Sequence, residues 1–149
     1  QQSVIVRRMA RDLNMPIEIR VLPTVREKDG LAMSSRNKYL SPEERRQALC
    51  LYEALRKADS LYRGGQTDAE TLRRAMAAAL GAAPLAEPDY VEIVDKETLA
   101  PVQVVSARAV AVLAVRFGET RLIDNYPFSE AAERRHPPSS APRASGPVG

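Results

Sequence analysis

One cysteine, one histidine, no tryptophan and no apolar run near the ~18 residues that span a bilayer narrow the field before any motif is read. With Cys50 alone, intramolecular disulfides and cysteine-based zinc sites are excluded. Its setting, "QALCLYEAL", is an apolar helical context in which a thiol acts as a small buried hydrophobe. His136 stands in a Pro/Ser-rich tail, a poor support for a catalytic base, so the chain has no Ser-His or Cys-His pair of its own. Aromatics are scarce as well. Five Tyr and two Phe give no stretch where rings interleave with bases, as nucleic-acid stacking requires. Of the net charge of +3, two units lie in residues 131–149, which carry three arginines and one glutamate. The expectation is therefore a solvated basic tail and neither a nucleic-acid nor a membrane partner.

The start, "QQSVIVRRMARDL", sets basic residues inside an apolar pattern and has no small-residue cleavage site, unlike a signal peptide. It also lacks a starting methionine, so Gln1 is expected to be a cut end. A soluble, intracellular protein is the expectation.

Periodicity divides the rest. Ile5, Met9 and Leu13 recur at helical spacing over residues 3–13, and Asn14 and Pro16 end that pattern. "IEIRVL" at 17–22 begins with strand-like alternation. A helix followed at once by a strand is the closing part of an α/β unit, whose earlier strands would lie upstream of Gln1. A polar loop runs from Pro23 to about Leu40. Ser41-Pro42-Glu43-Glu44 then starts a helix with a hydroxyl N-cap, Pro at N1 and glutamate at N3, extending to Arg63 and stopped by Gly64-Gly65. Thr67-Asp68-Ala69-Glu70 reads as a second capping box, opening a helix to Gly81. The period then changes to two, giving strands at 89–95, 107–118 and 120–128, the last two joined by a tight hairpin at Gly118-Glu119. "VAVLAV" suits a central strand buried on both faces. The expected fold is thus the end of an α/β domain at 1–24, a loop at 25–40, and a small α+β domain at 41–129. That domain would hold two helices and a three-stranded antiparallel sheet. Residues 130–149 are expected to be a disordered tail.

The loop carries the chemistry. "AMSSRN" offers two hydroxyls, backbone amides and a guanidinium within a few residues, all able to donate to phosphate oxygens. Gly30 would permit a close approach or a positive φ. Ser-Ser-Arg-Asn also occurs in ordinary solvated turns, so this short string leaves both readings open. Arg26 and Asp29 could pin the loop or form a solvated ion pair. Asn37 could bond the loop or simply precede the helix. Asp124 and Asn125 are expected to shape a strand end.

The longer string "PTVREKDGLAMSSRNKYLSPEER", Pro23 to Arg45, resembles the signature of the pantothenate synthetase (pantoate–β-alanine ligase) family almost letter for letter. "QQSVIVRRMARDLNMPIEI" resembles the family's segment after its GxKDxQQ motif, and "DYVEIVD…LAPV…RLIDN" its C-terminal strands. Together they cover about residues 1–128. The resemblance implies an adenylate-forming enzyme related to class I aminoacyl-tRNA synthetases, with residues 1–24 closing a Rossmann-like (HUP/adenylyltransferase type) domain. It implies that ATP and pantoate give pantoyl adenylate and pyrophosphate with Mg2+, after which β-alanine displaces AMP to give pantothenate. It further implies a cytoplasmic homodimer. Carried over by motif, Gln2 would bind pantoate and the backbone of Val25 would hold the adenine end of ATP. Met33, Ser34, Ser35 and Arg36 would form the ATP loop, with Ser34, Ser35 and Arg36 acting on the phosphates, and residues 25–40 would also be the hinge. No protein ligand set for a metal is implied. The family's HxGH motif, its first pantoate-binding glutamine and its GxKD run have no counterpart here, so the chain alone is expected to bind ATP weakly and turn over nothing. Two other readings stay open. One is a fragment of another class I synthetase-like adenylyltransferase, against which "MSSR" in place of "KMSKS" speaks. The other is a non-catalytic interaction module with a basic tail.

Overall fold

A computed structural model describes residues 2–129; Gln1, His136 and the expected disordered tail at 130–149 lie outside the described residues. Helix α1, Gln2–Asp12, closes with Asn14 at φ 52°, whose N–H donates to the Arg11 carbonyl while Met15 N–H reaches back to Ala10. That is the reverse-turn cap a left-handed Asn supplies in place of Gly. The stripe Ile5, Met9 and Leu13 stays half or more exposed, and Ala10 is the one buried residue of the helix.

Residues 17–22 form no strand. Alternation makes a ladder only where a neighbouring strand completes the backbone hydrogen bonds, and none lies beside this segment among the described residues. Residues 2–24 accordingly hold one helix and irregular chain, without the strand expected of an α/β end.

The core is built from residues between Leu31 and Phe128. Ser41 accepts from the Glu44 N–H while the Glu44 carboxylate accepts from the Ser41 N–H, the reciprocal box read from the sequence. It starts α2, Pro42–Gln47. The helix expected through to Arg63 is instead broken at Ala48-Leu49, and α3 runs Cys50–Arg63. Both junction residues remain in the right-handed region and Ala48 N–H keeps its bond to Glu44, but the bonds that follow include tighter i→i−3 ones: Leu49 N–H to Arg46, Leu51 N–H to Ala48. No Pro or Gly marks the break. Helix α3 ends in a Schellman motif with Gly65 at φ 96°. Helix α4, Ala69–Gly81, is capped by Asp68 and not by Thr67. The Asp68 carboxylate accepts from both the N–H and the hydroxyl of Thr71, while the Thr67 carbonyl is occupied by Val105 N–H.

Strands β1 (Glu87–Asp95), β2 (Ala109–Phe117) and β3 (Thr120–Pro127) form one antiparallel sheet in the order β1-β2-β3. Central β2 is buried almost throughout, as its unbroken apolar run requires. The Phe117–Thr120 pair flanks the two-residue turn Gly118-Glu119, and Gly118 has φ 54° at the first turn position. Leu51, Leu55, Leu72, Met76 and Leu80 from α3 and α4 meet Ile93, Leu113, Val115 and Phe117 from the sheet in a single cluster. Cys50 is part of this cluster, and desolvation, with the Glu53 carboxylate second, pushes its thiol up to about 11; it behaves as the small hydrophobe its context suggests. Among the described residues no helix is long and apolar enough to cross a membrane.

Candidate functional site

The polar loop folds as a hairpin. Arg26 pairs with Ala32, Met33 N–H donates to the Val25 carbonyl at 2.9 Å, and Glu27 N–H donates to Leu31 at 2.8 Å. The turn closes with Gly30 N–H on the Glu27 carbonyl, Gly30 taking φ 101°. A side chain there would be strained twice, because a Cβ would stand 2.2 Å from Cδ1 of Tyr52 on α3.

Its charges fasten this hairpin to α2 and β3. Arg26 is bidentate to Asp124 on β3, at 2.6 and 3.0 Å, and also donates to the carbonyls of Gly30 and Asn125. Its guanidinium lies 4.3 Å above the Tyr52 ring. The Asp124 side chain is wholly buried and that of Arg26 is 17% exposed, so this is an interior pair with its donors well used. Arg45 of α2 reaches both Glu27 (2.9 Å) and Asp29 (2.7 Å). Asn37 donates to Glu27 at 2.8 Å and to the Ala32 carbonyl. These bonds from Asn37 and then Arg45 hold the Glu27 carboxyl below its ordinary value, and the Arg45 bond does the same for Asp29. Desolvation opposes the charge on Arg45, yet its two carboxylates keep its pKa above the ordinary value.

Arg26 and Asp29 therefore do pin the loop, each through a partner other than the one nearest in sequence. No local signal could link Arg26 to Asp124, 98 positions away. Asp124 and Asn125 border the site as well as shaping the strand end.

What remains uncommitted is the segment after the hairpin. Ser34 caps a short 3-10 turn, Ser35–Tyr39, accepting from the Arg36 N–H at 3.2 Å. Met33, Ser34, Ser35 and Arg36 are exposed. Arg36 makes one side-chain bond, to the Arg121 carbonyl at 3.4 Å, and no carboxylate lies within ion-pair distance among the described residues. A cleft of about 270 Å³ opens between this segment and β3. Met33, Ser34 and Arg36 line it from the loop, and Arg121, Ile123 and Asn125 from the strand, above a floor of Leu31, Leu51 and Leu122. Apolar floor, hydroxyl and guanidinium rim make a site suited to an anion attached to an apolar body. Val25 is tied to Met33 through its backbone but does not line the cleft, nor does Ser35. Gln2, exposed at the start of α1, is not brought to it. Among the described residues no group of three or more His, Cys, Asp or Glu is placed to hold a metal ion.

Residues 1–127 match the family model described as pantoate-beta-alanine ligase. Pantothenate synthetase from Roseiflexus castenholzii is 54% identical over 125 residues, which are 84% of this chain and 45% of the relative. The crystal structure of pantothenate synthetase from Thermus thermophilus superposes with a TM-score of 0.81 at 47% identity, covering 86% of this chain and 46% of that one. Pantoate-beta-alanine ligase from Francisella tularensis, solved in complex with beta-gamma ATP and beta-alanine, matches at 0.55 and 27% identity over 85% of this chain and 39% of that one. The chain spans about half the length of the relatives it matches.

Proposed function

Because the chain belongs to the pantoate-beta-alanine ligase family, we propose that it is the ATP-loop and C-terminal part of an enzyme that condenses pantoate with β-alanine. In the first step a pantoate carboxylate oxygen attacks the α-phosphorus of ATP, the bond to the bridging oxygen breaks, and pyrophosphate leaves. The amine of β-alanine then attacks the acyl carbon of pantoyl adenylate, AMP departs with the bonding pair, and the amine loses its proton. A carboxylate already ionised near neutral pH needs no general base, so the first step asks chiefly for orientation and for charge opposite the leaving group.

The observation that carries this reading is the division of labour in the loop: Arg26, Glu27, Asp29 and Asn37 are committed to folding it, while Ser34, Ser35 and Arg36 stand exposed. In the proposed roles the two serine hydroxyls donate to phosphate oxygens and Arg36 offsets the charge developing on pyrophosphate. Met33 and the backbone of Val25 would hold the adenosine end, and Gln2 the pantoate. Residues 1–24 would close a Rossmann-like domain, and residues 25–40 would be the hinge that closes over ATP and keeps water from the adenylate. Mg2+ would enter with the ATP phosphates, which with one or two carboxylates and water satisfy its octahedral demand. A cytoplasmic homodimer completes the proposal.

Arg36→Ala in the intact ligase tests it. Pyrophosphate release on mixing ATP and pantoate should slow roughly a hundredfold, with the melting temperature unchanged because Arg36 makes a single weak bond. Unaltered pyrophosphate release would remove Arg36 from the chemistry.

A further inference from the structure

A second guanidinium stands at the same cleft. Arg121 of β3 lines it opposite Ser34 and Arg36, and its position in the sheet is unusual in charge. Arg116 on β2 and Arg121 on β3 are direct cross-strand partners, an arrangement that places like charges side by side. A single carboxylate answers both. Asp89 accepts from Arg116 Nε at 3.1 Å and from Arg121 Nε at 2.5 Å. Asp89 can reach both because it is the extra residue of a bulge: β1 slips register between Pro88 and Tyr90, and such a bulge re-aims the side chain it carries. Arg36 then donates to the backbone carbonyl of Arg121, adding a third guanidinium beside the pair. Two positive charges thus share one carboxylate, and a third guanidinium stands beside them with none. Glu44, the carboxylate bordering the other side of Arg36, accepts from the Ser41 N–H and makes no ion pair with Arg36. Because Asp89 takes only the Nε hydrogen of Arg121, the Nη hydrogens have no carboxylate partner, and the guanidinium lies 5.8 Å from the centre of the Tyr90 ring.

We propose that Arg121 is a second anion-gripping residue of this cleft, acting with Arg36 on the polyphosphate of a nucleoside triphosphate or on the pyrophosphate it releases. This rests on the reading of the loop given above. It adds a group from the sheet, so that the anion is held from two elements, one the loop and the other the strand facing it. Asp89 then acts as a positioning residue that sets the direction of the guanidinium. Arg116 shares Asp89 but does not line the cleft, which makes it a built-in control.

The test uses the purified chain of residues 1–149, titrated with sodium tripolyphosphate and with ATP and followed by amide NMR shifts, a readout that reports millimolar binding. Arg121→Gln should weaken both ligands roughly tenfold or more, the loss typical of one charge-assisted contact. Arg121→Lys should recover part of that loss, and Arg116→Gln should stay close to the parent. Thermal melts of Arg121→Gln and Arg116→Gln should fall together, since each loses one bond to Asp89. Equal weakening of binding in the two Gln variants would assign Arg121 to the sheet alone and overturn the proposal. Weakening by Arg36→Gln but not by Arg121→Gln would overturn it while leaving the loop's role intact. Failure of the parent chain to bind tripolyphosphate would overturn the proposal, whereas the loop's role in the intact ligase is tested separately by Arg36→Ala.

Discussion

Two arginines ten positions apart in one loop have opposite fates. Arg26 is interior, bidentate to a buried carboxylate and stacked on a ring; Arg36 is exposed, with one long bond to a carbonyl. The residues around them divide in the same way. The hairpin 26–32 is fixed by side chains from α2, α3 and β3, whereas 33–36 projects hydroxyls and a guanidinium at the mouth of a cleft. A loop that must meet an anion without reorganising needs both kinds of segment, because rigidity in the first lets the second hold its donors in place. Charge in a loop is therefore a poor guide to function until its partners are known.

Asp124→Ala should break this contrast most severely. It strands a buried guanidinium, and loss of one partner of an interior pair costs about 3–5 kcal/mol. Urea denaturation should show that loss, and a change under ~1 kcal/mol would mean that the pair is dispensable. Gly30→Ala comes next. The positive φ costs about 1–2 kcal/mol, and displacing Tyr52 adds a further ~1–3 kcal/mol of overpacking. Trimming the ring as well, Gly30→Ala with Tyr52→Ala, should return the second part but not the first.

The smallest effect is electrostatic. Glu27 and Asp29 titrate below their ordinary values of 4.5 and 3.8 in the folded chain, so what they add to stability is complete above those values. It is lost as pH falls through the lowered folded values. Arg45→Met removes the partner they share and should make stability less sensitive to acid between about pH 5 and 3. Parallel acid titrations of parent and variant, read by thermal melting, would refute this by keeping the same slope.

Features decided within a few residues were legible in the sequence. The Ser41–Glu44 box, the Gly65 stop and the Gly118-Glu119 hairpin each rest on a local backbone need that a particular residue type meets. Errors arose where the deciding partner lay elsewhere. The alternation at 17–22 made no strand for want of a neighbour, and the break at Ala48-Leu49 has no Pro or Gly to announce it. The cap falls to Asp68, whose carboxylate takes Thr71, while the Thr67 carbonyl is bonded to Val105 from a distant loop. At the site, "MSSR" could be read directly as a donor-rich string, but the pairing of Arg26 with Asp124 and the sharing of Asp89 by two arginines exist only once the sheet has formed.

The carbonyl contacts of those two loop arginines have a separate consequence for how the molecule meets its neighbours. A three-stranded sheet has two open sides, each a template on which a foreign strand could grow. Along β3 the carbonyls of Arg121 and Asn125 are taken by Arg36 and Arg26, and along β1 the chain folds back so that Val102 N–H caps Ile93 and Pro101 pairs with Val94. Side chains and a returning loop thus shorten the free stretch on both margins of the sheet.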